Sequence, residues 1–211
     1  MYSQYEEEKH ILDAVGGLGS LTEHGSTLAE LPDGITRPRF LEIGAWHPTD
    51  KSNTRALVEL GWSGVMIEPS PGPLLNLLSE YSGNDRITLV SACVGLEPGI
   101  VELMVTDDAV SSTDRHQYDA WKDVTKFRGA LHVPVLTWEM ITNRWGGFQM
   151  ISLDAEGLSA DLFLAMLAAG LQPTCVVVEH DSRLEELCSA ATPLHYNVTY
   201  ANGTNAVFIR K

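Results

Sequence analysis

The chain has 211 residues, with 14 Lys plus Arg against 28 Asp plus Glu and a formal net charge of −14. That excess of acid excludes a protein whose affinity comes from neutralising nucleic-acid phosphates. A hydrophobic fraction of 44% and a charged fraction of 20% exclude general disorder, and a chain this long buries about 70% of its unfolded surface without covalent staples.

The longest apolar run, residues 162–171, is too short to cross a bilayer. The opening MYSQYEEEKH is acidic and polar, unlike a secretory leader. Cys93, Cys175 and Cys188 are odd in number and sit in apolar contexts, which suits a reduced, cytoplasmic setting better than a disulfide framework. No repeat or low-complexity tract divides the chain. A single domain is expected over 1–211, with a helix and loop over 1–38 and a core over 39–211 that carries an excursion around 100–135.

In chain order, Ser3 and Glu6 have the spacing of a capping box. Tyr5, Ile11, Leu12 and Val15 follow at helical spacing, and Gly16-Gly17 can end that helix. Residues 16–38 and 107–130 read as loops, the second carrying Tyr118, Trp121 and Phe127 as an acceptor lid or a plain surface excursion. Residues 40–44 read as a buried strand, 52–60 as a helix closed by Gly61, and 65–67 as the next strand. A helix follows near Pro73, with Leu74, Leu77, Leu78 and Tyr81 on one face. Strands are expected over 87–92, 100–105, 148–153 and 175–178. Thr137 caps a helix running to Arg144, Ser159 caps an apolar helix that stops at Gly170, and Ser182 with Glu185 forms a further capping box. Residues 195–200 and 206–209 form a hairpin around Asn202-Gly203.

Strand and helix thus alternate from 40 to 190. Alternation predicts a mostly parallel sheet with helices on both faces, wound right-handed, to which the closing hairpin adds an antiparallel strand. Such sheets bind ligands beyond the carboxyl ends of their strands. The residues that fall there are 44–53, Glu68, Ala92-Cys93, 154–157 and Glu179-His180.

Gly44 ends the first strand and Glu68 closes the second, 68 − 44 = 24 residues later. An acid at that place can accept two hydrogen bonds from a ribose diol. A dinucleotide site needs further glycines to admit a pyrophosphate, whereas Gly44 is followed by Ala45, Trp46, His47 and Pro48. A bulky turn with one glycine suits a nucleoside cofactor without phosphates, of which S-adenosylmethionine is the common one. Glu42, just before the turn, can attract an ammonium or sulfonium; both acids can also be read as ordinary strand-end carboxylates. Ser52, Asn53 and Thr54 open a helix toward the cleft, either as cofactor contacts or as caps. His47 reads as a contact to the cofactor tail or acceptor, or as a solvated loop residue. Trp46 and Trp62 read as packing.

The segment LEIGAWHPTDKSNTRALVELGWSGVMIEPSPGPLLNLL resembles the N-terminal core of FkbM-type methyltransferases. Gly44-Ala45, His47-Pro48, Ser52-Asn53-Thr54, Gly61-Trp62 and Ile67-Glu68-Pro69 carry the match, with Tyr2-Ser3-Gln4 and residues 151–157 similar to further signatures. The resemblance covers most of 1–180. It implies the class I methyltransferase Rossmann-like sheet, S-adenosylmethionine as cofactor and a hydroxyl on a sugar or natural product as acceptor. Ala155 stands where that family has Val, and Leu158-Ser159 where it has an acid.

A hydroxyl is a poor nucleophile until a base or metal removes its proton. Asp154 and Glu156 follow the fourth main strand, and Glu179, His180 and Asp181 the fifth. Asp154 or His180 can act as the base, or Asp154, Glu156 and Glu179 can hold Mg²⁺; Glu156 and Asp181 can instead serve helix N-termini. The expected cofactor contacts are Glu42, Gly44, Ala45, Ser52, Asn53, Thr54, Glu68, Pro69, Ala92, Cys93 and Asp154, and the expected catalytic residues Asp154, His180 and His47. The expected partner is a small-molecule or glycan acceptor, with no nucleic acid, no membrane and a homo-oligomer left open. The competing readings are a cofactor-binding or interaction module without catalysis and an NAD-dependent oxidoreductase, which the missing glycines disfavour.

Overall fold

The computed structural model describes residues 2–19, 38–106, 111, 113 and 125–211. Most of the two expected loops, including Tyr118 and Trp121, lies outside these residues.

The main sheet has seven strands: β1 (Arg39–Ile43), β2 (Ser63–Ile67), β3 (Ile87–Val90), β7 (Met150–Leu153), β8 (Cys175–Glu179), β9 (Tyr196–Ala201) and β10 (Asn205–Arg210). Their spatial order is β3-β2-β1-β7-β8-β10-β9. Five neighbours run parallel from β3 to β8, and β10 is antiparallel to both β8 and β9. The returning arm of the hairpin therefore slots between β8 and β9. This order, mostly parallel with one reversed strand next to the edge, is a Rossmann-like α/β sheet.

Among the described residues six α-helices complete the layers: α1 (Glu7–Gly19), α2 (Arg55–Glu59), α3 (Pro71–Glu80), α4 (Trp138–Trp145), α5 (Ser159–Ala168) and α6 (Leu184–Ala191). Side chains alternate across the strands and feed two cores. Leu41, Ile43, Val65, Ile67, Val176 and Val178 pack with Trp138, Phe163 and Leu187 on one face. Phe40, Met66, Cys175 and Val177 pack with Ile11, Val15, Leu57 and Leu77 on the other. No helix among the described residues is long and apolar enough to cross a membrane.

A second sheet, ordered β4-β6-β5, is built from β4 (Cys93–Val94), β5 (Gly99–Thr106) and β6 (Phe127–Leu136). The first part of β6 falls in the expected loop, because Gly129, Pro134 and a mostly exposed run give no alternation to read. The third main strand stops at Val90, and Cys93–Val94 leaves it to pair with β6.

Several termini differ from expectation for local reasons. The second helix begins at Arg55 because the Ser52 hydroxyl accepts the N–H groups of Thr54 (3.3 Å) and Arg55 (3.1 Å). Ser3 caps α1 by accepting from Glu8 N–H at 3.0 Å, while Glu6 turns out at φ 74° and completes no capping box. Thr137 caps α4 as expected, through Met140 N–H at 3.4 Å. Ser159 is the first residue of α5 and reaches back to Ala155 N–H; Asp181 takes the capping role, accepting from Ala160 N–H at 2.9 Å. Ser182 has φ 61°, and no side chain caps α6.

Candidate functional site

A cavity of about 390 Å³ lies beyond the carboxyl ends of β1, β2, β7 and β8. The turn after β1 opens with Gly44, whose φ is 75°. A Cβ there would lie 1.8 Å from the Asp154 carbonyl oxygen. The glycine thus lets two neighbouring strand ends meet, and it sets Asp154 beside the β1 turn.

Glu68 ends β2 and is 4% exposed. Its two carboxylate oxygens accept from Trp46 N–H at 3.0 Å and Ser70 N–H at 2.7 Å. These amides fix the rotamer and leave lone pairs free for a ligand. Burial raises the Glu68 carboxyl above the ordinary range, partly offset by the two amides.

Glu42, 5% exposed, is held by the Thr54 hydroxyl, which donates to it at 2.6 Å. Burial pushes its carboxyl up to about 8. Beside it, Asn53 donates to the Ser152 hydroxyl at 3.1 Å, while its own carbonyl oxygen is buried without a partner.

Asp154, Glu156 and Glu179 line the same wall. Asp154 and Glu179 stand close enough on this wall for each to influence the other's carboxyl. Glu179 Oε2 is buried without a partner. Burial first, then the neighbouring acids, raise the pair: Asp154 to about 6 and Glu179 to about 9. Glu156 rises to about 7 for the same reasons. Asp154 is crowded by protein atoms yet keeps an exposed surface on the cavity, so its desolvation is completed when a ligand displaces water.

The far wall is made by a tie between the chain ends. The fully buried Glu7 accepts from the amides of Asn205 (2.9 Å) and Asn202 (3.2 Å), and its other oxygen accepts from Tyr5 N–H (2.8 Å). Asn202 also accepts from the N–H groups of Thr204 and Asn205, both at 2.7 Å. This clasp brings Gln4, Thr204 and Asn205 to the cavity.

Of the residues singled out in the sequence, Glu42, Gly44, Ala45, His47, Asn53, Glu68, Pro69, Ala92, Cys93, Asp154, Glu156 and Glu179 line the cavity. Ser52 and Thr54 do not: one caps α2 and the other holds Glu42. His180 does not either. Adjacent strand residues point to opposite sides, so with Glu179 on the cavity the His180 ring turns to the Asn202 carbonyl at 3.0 Å. His47 Nδ1 accepts from the N–H groups of Thr49 and Asp50, which leaves its proton on Nε2. Among the described residues no group of three or more His, Cys, Asp or Glu is arranged to hold an ion, so nothing here supports the expected Mg²⁺. Gln4, Lys51, Ser70, Thr204 and Asn205 also line the cavity without an individual role in the sequence: Lys51 lies inside the 44–53 stretch and Ser70 follows Glu68-Pro69, while Thr204 and Asn205 reach the strand ends only when the fold closes.

No protein-family model matches the chain, and no curated protein matches it. Among solved structures it is similar to the methyltransferase FkbM from Methylobacillus flagellatus KT, with 14% identity and a TM-score of 0.49. That similarity covers 99% of this chain, which spans 56% of the other protein.

Proposed function

We propose that the cavity binds S-adenosylmethionine and that the protein transfers its methyl group to a hydroxyl of a small-molecule or glycan acceptor. The observation that carries this reading is Glu68: a buried carboxylate at the end of β2, oriented by two backbone amides and open to the cavity. A carboxylate so placed suits a ribose diol. The lining also suits a nucleoside with a cationic tail, because the Asp154 carboxylate brings negative charge near Gly44 and Glu42 adds an acceptor beside it. It does not suit a pyrophosphate: Lys51 is its one Lys or Arg among the described residues, and the turn after β1 has a single glycine.

S-adenosylmethionine, when bound, supplies a methyl group activated by a positive sulfur. The chain supplies position and a proton acceptor. Asp154, lifted to about 6, is ionised at neutral pH yet more basic than an ordinary Asp. It takes the acceptor's hydroxyl proton as the oxygen approaches the methyl carbon. Glu179, beside it on the same wall, is raised by burial and by the neighbouring acids, Asp154 first, so it competes little for the role of base. No step is assigned to a metal, since the carboxylates are not disposed around one.

Thermal unfolding tests the cofactor. S-adenosylhomocysteine at 100 times its dissociation constant should stabilise the fold by about 2.7 kcal/mol, and NAD should not. Stabilisation by NAD alone would overturn the assignment. Binding with no methylation across a broad hydroxyl-acceptor screen would reduce the protein to a cofactor-binding module.

A further inference from the structure

The cavity wall is acidic: Glu42, Asp50, Glu68, Asp154, Glu156 and Glu179 all line it. Against them stands Lys51, the one Lys or Arg in the lining among the described residues. Its ammonium makes no ion pair among the described residues. It lies 5.3 Å from the centre of the Trp46 ring, a cation–π contact that fixes the side chain without neutralising it. Both residues hold left-handed backbone conformations, Trp46 at φ 30° and Lys51 at φ 57°, so the turn after β1 is shaped to bring them together. The charge is felt at the site, since Lys51 partly counteracts the rise of the Asp154 carboxyl.

In a cavity that takes a zwitterion, a cation set among carboxyl groups can meet the anionic end of the ligand. We propose that Lys51, latched on Trp46, is the anion clamp of the cavity and receives the α-carboxylate of the cofactor's methionine tail. The proposal rests on the S-adenosylmethionine reading. It gives a carboxylate entering an acidic cavity the partner without which like-charge repulsion would expel it. It also explains why the residue is Lys on an exposed turn: a long, flexible ammonium can leave the indole and follow the tail.

The test compares two nucleosides on the full chain. S-adenosylhomocysteine carries the amino-acid tail; 5′-methylthioadenosine carries the same adenosine and sulfur without it. Lys51→Met should weaken S-adenosylhomocysteine by at least about tenfold and leave 5′-methylthioadenosine unchanged. Lys51→Arg should restore most of the loss, and the wild-type advantage should shrink as ionic strength rises. Equal losses for both nucleosides, or none for either, would overturn the clamp. If S-adenosylhomocysteine binding is unchanged while the KM of an anionic acceptor rises, Lys51 serves the acceptor and the proposal fails. If the wild type binds neither nucleoside, the cofactor reading fails first and the clamp with it.

Discussion

Gly44 and Asp154 are pressed so closely that a methyl group on Gly44 would overlap the Asp154 carbonyl, at 1.8 Å. The contact joins the ends of β1 and β7, which pair in register up to Ile43 and Leu153. It explains a glycine in this turn without any ligand, and it makes the position of Asp154 depend on that glycine. Gly44→Ala must both push the backbones apart and accept φ 75°. We expect a loss of at least about 3 kcal/mol, read by chemical denaturation, together with weakened S-adenosylhomocysteine binding. A stable variant with normal affinity would show that the turn is not under this constraint.

Glu68→Gln separates charge from shape. The amide keeps one acceptor but turns an NH2 group toward Trp46 N–H or Ser70 N–H. Calorimetry should show S-adenosylhomocysteine affinity falling by about 10- to 100-fold. Undiminished affinity would take Glu68 out of the site.

Asp154→Asn should leave S-adenosylhomocysteine affinity nearly intact and lower turnover by about 10²- to 10⁴-fold. The wild-type rate should rise with pH through an apparent pKa near 6, because the raised Asp154 carboxyl must be ionised to take a proton. A flat profile from pH 5 to 8, or a fully active variant, would clear Asp154 of the role of base.

Stability should depend on pH in the same sense. Glu42, Glu156 and Glu179 are raised to about 8, 7 and 9, above their values in the unfolded chain. The folded state therefore binds more protons than the unfolded state between the ordinary Glu range and these values. Their contribution is complete below pH 4 and is lost as pH rises through 7 to 9. The Tm should accordingly be higher at pH 5.5 than at pH 8.5. Glu42→Gln should flatten that slope, since the neutral amide fills the same buried place without titrating. A Tm that climbs with pH would contradict the assignment.

Burial, with the Glu68 charge nearby, raises the Cys93 thiol to about 11. Although it lines the cavity, it should react with iodoacetamide far more slowly at pH 8 than an ordinary thiol. Reaction at an ordinary rate would show that burial does not hold the Cys93 thiol up.

Much of this architecture was legible in the sequence because Val65–Ile67 and Val176–Val178 are the continuous apolar runs of strands buried on both faces, and Leu41–Ile43 is interrupted only by Glu42. The strand-end rule then reached Glu42, Gly44, Glu68, Asp154 and Glu179 directly. It failed at His180, where one residue of strand period turns the ring away from its neighbour. It also failed at Ser52 and Thr54, whose hydroxyls satisfy backbone and Glu42 instead of a ligand. Thr204 and Asn205 had no local signal, and Gln4 had only its place in Tyr2-Ser3-Gln4. They reach the cavity through the Glu7 clasp, which joins positions about 200 residues apart. Lys51 was hidden for another reason: a lone Lys in a polar turn carries no pattern until the acids around it are known.

The most direct test is a crystal structure with S-adenosylhomocysteine bound. Both ribose hydroxyls should lie within hydrogen-bond distance of the Glu68 carboxylate, with the sulfur toward Asp154. A nucleoside bound elsewhere, or one whose ribose leaves Glu68 to its two backbone amides alone, would contradict the account.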